Sequence, residues 1–252
     1  MTAGSLLFAR YAYPPNALGY CGADETQELL DYASAGASDG GLAELVRTFE
    51  GAWPYLSLIA AANRIKDPLD PRVVEAYWVG NGLLDRVRAD DLARHVEDRF
   101  RGRIGRTWRR VLDTVAAGAV PHHAFHVFAV YPWLGLLRTG VVDEPLRVLD
   151  QCRTTPAIVQ ATDGDTARVL ARDLTWDGRT LALGGWESRD VRWRDEGRAL
   201  VPDLRPGDWV ALHWDVVCDR LTPPAAARLE HVTRRVLAAV DSTPATAAAL
   251  AT

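Results

Sequence analysis

The chain has 252 residues, 48% hydrophobic and 25% charged, and its 29 Lys and Arg stand against 33 Asp and Glu, for a net charge of −4 and a pI near 5.9. That length and apolar content suit one large core or two smaller ones and exclude disorder as the main state, and no dense basic stretch offers itself to nucleic acid or an anionic membrane. Three cysteines (Cys21, Cys152, Cys218) are too few and scattered for a disulfide framework, no segment approaches the ~20 apolar residues of a bilayer span, and residues 1–10 lack a signal-peptide pattern; a cytoplasmic protein is expected.

Residues 8–22, rich in Tyr, Pro and Gly, read as an ordered loop ending at Cys21. From Asp24 to Leu149 the periodicity is helical. Asp24 and Gln27 match a capping box, opening a helix to about Ser34. Residues 41–64 carry Leu42, Leu45, Val46, Phe49, Trp53, Leu56 and Ile59 at spacings of three and four, with Pro54 expected to kink or split the run. Further helices are expected at 72–87, 90–100, 106–117, 123–137 and 144–151. Asp90-Asp91 and Asp143-Glu144 read as helix starts favoured by the macrodipole, and His95 and His231 as solvent-facing helix residues.

After Cys152 the period drops to two. Strands are expected at 157–161, 167–173, 180–183, 190–193 and 209–214, with Asp163-Gly164 and Asp177-Gly178 as hairpin turns. Five short strands fit a small antiparallel barrel, and Pro223 opens a closing helix. The predicted fold is α+β: an all-α domain over 1–150, an antiparallel β-barrel with a C-terminal helix over 151–242, and a tail over 243–252. Cys218 reads as core, and Trp209 and Trp214 as packing the barrel against its last helix or the α half.

The stretch from Cys152-Arg153-Thr154-Thr155-Pro156 through Asp163-Gly164-Asp165, together with Leu204-Arg205-Pro206-Gly207-Asp208-Trp209-Val210-Ala211-Leu212-His213, resembles the HypC/HupF family of NiFe-hydrogenase maturation chaperones. The order and spacing agree over residues 152–241. The resemblance implies an OB-like barrel with a closing helix that carries an Fe(CN)2(CO) unit, with a HypD-like maturation protein and the hydrogenase large subunit as partners. It implies Cys152 as iron ligand, His213 as its neighbour and Pro156 as shaping the chain at the site. A thiolate suits low-spin iron, and an imidazole beside it tunes the thiol or bonds a cyanide nitrogen. The family's Cys normally leads the chain, whereas Cys152 follows the helical half and has no free amine. Trp214-Asp215 stands where the family has a glycine.

The helical half resembles uncharacterised bacterial proteins loosely associated with hydrogenase gene clusters. Its own candidates are Cys21 and the group His122, His123 and His126. In a helix His122 and His126 share a face at i,i+4, and His123 and His126 nearly so at i,i+3, so either pair suits a transition metal. Cys21, Glu75 or Asp113 would complete the site if folding brought them close. The alternative is that Pro121 caps a helix whose histidines are start or interface residues. His213 either faces Cys152 or fills a polar core position. Three functions follow: a non-enzymatic maturation factor with an iron unit as cargo, a structural adaptor without metal, and a Cys/His enzyme with Cys152 as nucleophile and His213 or His123 as base.

Overall fold

The computed structural model describes residues 2–22, 25–104 and 108–242. The expected cap Asp24, the first residues of the helix expected from Arg106, and the tail 243–252 lie outside the described residues.

The first element corrects an expectation. Residues 8–17 are not a loop: they belong to helix α1 (Gly4–Ala17), with Phe8, Tyr11 and Tyr13 buried, and only residues 18–22, which carry Cys21, form the expected turn. Each such side chain gains roughly 1.5–3 kcal/mol from leaving water. Pro14 and Pro15 fall in the last turn, so they remove amide donors only where the helix is ending.

Helix α2 (Thr26–Ala35) is followed by α3 (Gly40–Arg47) and α4 (Trp53–Ala62), the two halves of the expected run at 41–64, with Pro54 in the first turn of the second half. Helix α5 (Pro71–Trp78) is shorter than the expected 72–87. It stops because Gly80 turns to φ +93, where a Cβ would lie 2.8 Å from Val232 Cγ2. A 3₁₀ turn at Leu84–Arg86, α6 (Ala89–Ile104) and α7 (Trp108–Ala116) follow. The expected helix at 123–137 is broken into α8 (His123–Phe125), a π-helical turn (His126–Val130) and α9 (Trp133–Arg138). Pro132 has no amide hydrogen to continue the ladder, and Tyr131 N–H reaches five residues back to the His126 carbonyl at 3.0 Å. Helix α10 (Asp143–Cys152) starts at the acidic pair, as expected.

Strands β1 (Thr155–Asp163), β2 (Thr166–Trp176), β3 (Leu181–Arg192), β6 (Trp209–His213) and β7 (Val216–Leu221) close in the order β1-β2-β3-β7-β6, while β4 (Arg194–Asp195) and β5 (Arg198–Ala199) form a separate ribbon. The expected antiparallel-only sheet is corrected: β3 meets β7 in a parallel pairing at Arg192 and Val216. Two expected strands merge into β3, because Gly184 fits against the irregularity in β2 between Arg172 and Leu174, where a Cβ would meet Thr175 Cγ2 at 2.9 Å. Strand β7 follows a two-residue turn, Trp214-Asp215, with φ of 53 and 55.

Thr222 caps the last helix, α11 (Pro223–Asp241), accepting from Ala225 N–H. One buried apolar cluster runs from α1 to Val240 and takes in Ala211 and Cys218 of the barrel, so the two halves share a core; small residues such as Ala157, Val159, Val169 and Val210 fill a second core. Among the described residues no helix is long and apolar enough to cross a membrane.

Candidate metal centre

Where the two halves meet, His123, Cys152 and His213 each offer one ligand atom within 4.8 Å of the others, and all three are buried. Cys152 ends α10, His123 opens α8 and His213 ends β6.

Backbone carbonyls freed at helix ends and breaks set each side chain. Pro15 cannot bond the carbonyl four residues earlier, that of Tyr11, and His213 Nδ1–H donates to it at 2.7 Å. The lone pair of His213 is thereby assigned to Nε2, which is buried and makes no hydrogen bond among the described residues. The carbonyls at the end of α10 lack intrahelical donors. That of Cys152 accepts from His123 Nε2–H at 2.8 Å, and that of Gln151 from Trp214 N–H at 2.8 Å. The His123 lone pair therefore sits on Nδ1, where the Tyr77 hydroxyl donates to it at 3.2 Å.

A charged lattice anchors this end of α10. Asp150 Oδ1 accepts from Arg153, itself fully buried, and from Leu174 N–H, while Arg189 bridges Asp150 and Asp173. Gln151 Nε2 donates to Asp215 Oδ2 at 2.7 Å, which holds the Trp214-Asp215 turn in its left-handed conformation.

Burial sets the proton states. The Cys152 thiol is pushed far above its usual range, opposed in part by the Trp214 indole N–H. Burial lowers His213 to about 4 and His123 well below the usual value. Both imidazoles are neutral near pH 7, the form in which they ligate metals.

The cluster borders a cavity of about 260 Å³, walled by Phe8, Tyr77, Trp78, Trp133 and Trp214, whose rim includes Tyr20 stacked on Trp214 at 4.2 Å. Cys21 and His126 also line it. The expected pairings of His122 or His123 with His126 do not form a ligand set. His122 caps α8, its Nδ1 taking Ala124 N–H at 3.0 Å, and the π-helical turn aims His126 at Tyr55, with Nδ1 3.2 Å from the hydroxyl. Pro156 stands apart from the cavity, paired with Ala211 in the barrel and bordering a crevice with Arg153 and Arg172. Glu75 is engaged by Asn81 Nδ2 at 2.9 Å and Asp113 is exposed, so neither joins the cluster. His95, expected in solvent, is instead half-buried against Tyr55 and Phe100, and burial, with Arg99 nearby, lowers it to about 4; His231 is exposed as expected.

A family model matches residues 1–247, nearly the whole chain. The chain belongs to the DUF6390 family, a family of unknown function. No curated protein and no solved structure matches it. In this DUF6390 chain the match spans the helical half and the barrel alike, and the cluster draws on both. Sequence reading missed the groups that orient it: the Tyr11 carbonyl, Tyr77 and the Trp214 turn. Only the Pro14-Pro15 pair carried a local signal, since a proline inside a helix leaves a carbonyl open.

Proposed function

We propose that this protein is an accessory factor in NiFe-hydrogenase maturation that holds or passes an Fe(CN)2(CO) unit, with Cys152 and His213 as its ligands and His123 beside them. The observation that carries the reading is the convergence of Cys152 and His213, whose buried Nε2 makes no hydrogen bond among the described residues, beside an apolar cavity. A thiolate suits low-spin iron, and imidazole is a serviceable second ligand. The His213 Nδ1–H bond to a carbonyl is the outer-shell arrangement that fixes a ligating histidine. At about 260 Å³ the cavity admits three diatomic ligands, each on the order of one or two waters at roughly 30 Å³. A five-strand barrel followed by a helix agrees with the layout that the HypC/HupF resemblance implies. On this reading the partners are a HypD-like protein and the hydrogenase large subunit in the cytoplasm, with no nucleic acid or membrane.

The Cys/His enzyme is disfavoured. An activated cysteine needs a lowered thiol pKa beside a base that can take its proton, whereas burial here raises the thiol and lowers both imidazoles.

The test is anaerobic purification from cells expressing the maturation machinery, with infrared spectroscopy for metal-bound cyanide and CO and quantification of iron. The wild type is expected to show both bands, Cys152→Ala to lose them and His213→Ala to weaken them. A wild type without bands or iron that still captures the large subunit would overturn the carrier reading in favour of the metal-free adaptor.

A further inference from the structure

Beside the inner cavity lies a second hollow of about 450 Å³, and the two share part of their walls. Among the described residues, Cys21 and His126 are the potential soft-metal ligands that border both; Cys152, His123 and His213 border the inner one. Cys21 is partly exposed, whereas Cys152 is buried. The outer hollow is thus a vestibule, with one thiol and one imidazole at its junction with the inner chamber.

Both residues are held there. Asn16 Nδ2 donates to the Cys21 carbonyl at 2.9 Å, and Asn16 Oδ1 accepts from Thr26 Oγ1 at 2.7 Å. Gly22 follows at φ +85, where a Cβ would lie 2.5 Å from the Phe49 ring, so the Cys21 segment packs tightly onto the helical core. His126 is buried, and its Nδ1 is engaged by Tyr55. Its Nε2 makes no hydrogen bond among the described residues and faces Gly51, where an added Cβ would lie 3.5 Å away. Since the Tyr55 oxygen can accept as well as donate, the tautomer with Nδ1–H on Tyr55 presents the Nε2 lone pair at the junction.

We propose that Cys21 and His126 form an outer ligand pair through which a soft metal, or a metal-bound fragment, passes between the vestibule and the inner cluster. This rests on the reading of Cys152, His213 and His123 as a metal site. Transfer is ligand exchange without redox change. The Cys21 thiol releases its proton to solvent as its sulfur bonds the metal. When Cys152 sulfur replaces it, the Cys152 proton passes to Cys21. One proton leaves the protein overall, and Cys21 is restored for another passage.

The test is anaerobic uptake of Co(II) alone by the full chain, followed by the thiolate-to-cobalt charge-transfer absorption in stopped flow and at equilibrium. Wild type is expected to develop the band, and Cys152→Ser to lose it at equilibrium. Cys21→Ser and Gly51→Ala, the latter placing a methyl in ordinary contact with His126 Nε2, are expected to slow its appearance at least about tenfold while the equilibrium affinity stays within about threefold; thermal melts confirm that each variant folds. Unchanged uptake rates in both variants would overturn the outer pair and leave the inner site standing. An equilibrium loss in Cys21→Ser as large as that in Cys152→Ser would also overturn it, by making Cys21 an inner ligand. Failure of the wild type to bind Co(II) at all would remove the inner site and the proposal together.

Discussion

Pro15 and His213, far apart in the chain, meet at one carbonyl: the proline has no N–H to give the Tyr11 oxygen, and the Nδ1–H of His213 bonds it instead at 2.7 Å. A proline in the last turn of the first helix thus decides which nitrogen of a barrel histidine keeps its lone pair. Replacing Pro15 with Ala restores a competing amide donor and smooths the last turn of α1. Thermal stability is expected to hold or rise, while metal affinity falls about 10–100-fold, the usual loss when a ligand's outer-shell partner is disturbed. A competitive metal titration beside a melt reads both, and an unchanged affinity would show that the Tyr11 carbonyl does not control the ligand.

Metal binding is expected to release a proton. Burial holds the Cys152 thiol protonated, whereas His213, at about 4, has no proton to lose near neutrality. Metal competes with that thiol proton alone, so affinity rises about tenfold per pH unit from about pH 6 to 8, with about one proton released per metal. Calorimetry in buffers of different ionisation enthalpy counts the protons. A slope near zero would show that Cys152 does not bind as thiolate.

Tyr77 donates to the one lone pair of His123. Tyr77→Phe frees Nδ1 for the cluster, and the gain expected is about that of one hydrogen bond, ~1 kcal/mol, or several-fold tighter metal binding. His123→Ala is expected to move affinity the other way. Weaker binding in Tyr77→Phe would instead assign Tyr77 the task of holding His123 against Cys152.

A separate pH effect sits on β7. Burial, opposed by Arg10 with its Nη1 at 3.6 Å, lifts Asp219 to about 6. An unfolded aspartate titrates near ~3.9, so between these values the folded state holds a proton that the unfolded state has lost. The stability this contributes is complete at the acid end and disappears as pH rises through about 6. Asp219→Asn removes that dependence. Denaturant midpoints at pH 5 and 7.5 are expected to diverge, wild type losing more stability than the variant on going to the higher pH, and parallel midpoints would refute the assignment.

The interaction range of each feature separates what was legible in the sequence from what was not. The change of period at Cys152, the split at Pro54, the acidic start of α10, the turns at Asp163-Gly164 and Asp177-Gly178 and the opening of α11 at Pro223 depend on neighbours within one or two turns, and the chain states them directly. The helical character of residues 8–17 was hidden because tertiary burial of Phe8, Tyr11 and Tyr13 outweighs the breaking tendency of Pro14 and Pro15. The β6–β7 turn was hidden because Trp-Asp takes a left-handed conformation that tertiary hydrogen bonds, and not its own preference, maintain.

By itself the sequence determined the chemical inventory: three thiols, six histidines, a helical half, a strand-rich half and a Cys152-to-His213 segment with a recognisable resemblance. Only the tertiary structure decided which of these meet. His123 joins Cys152 and His213, while His122 turns back on its own helix and His126 turns toward Tyr55. Helical spacing alone does not select among those histidines. The choice was made by carbonyls left open at the end of α10 and at Pro15, whose donors come from remote parts of the chain once the two halves share a core.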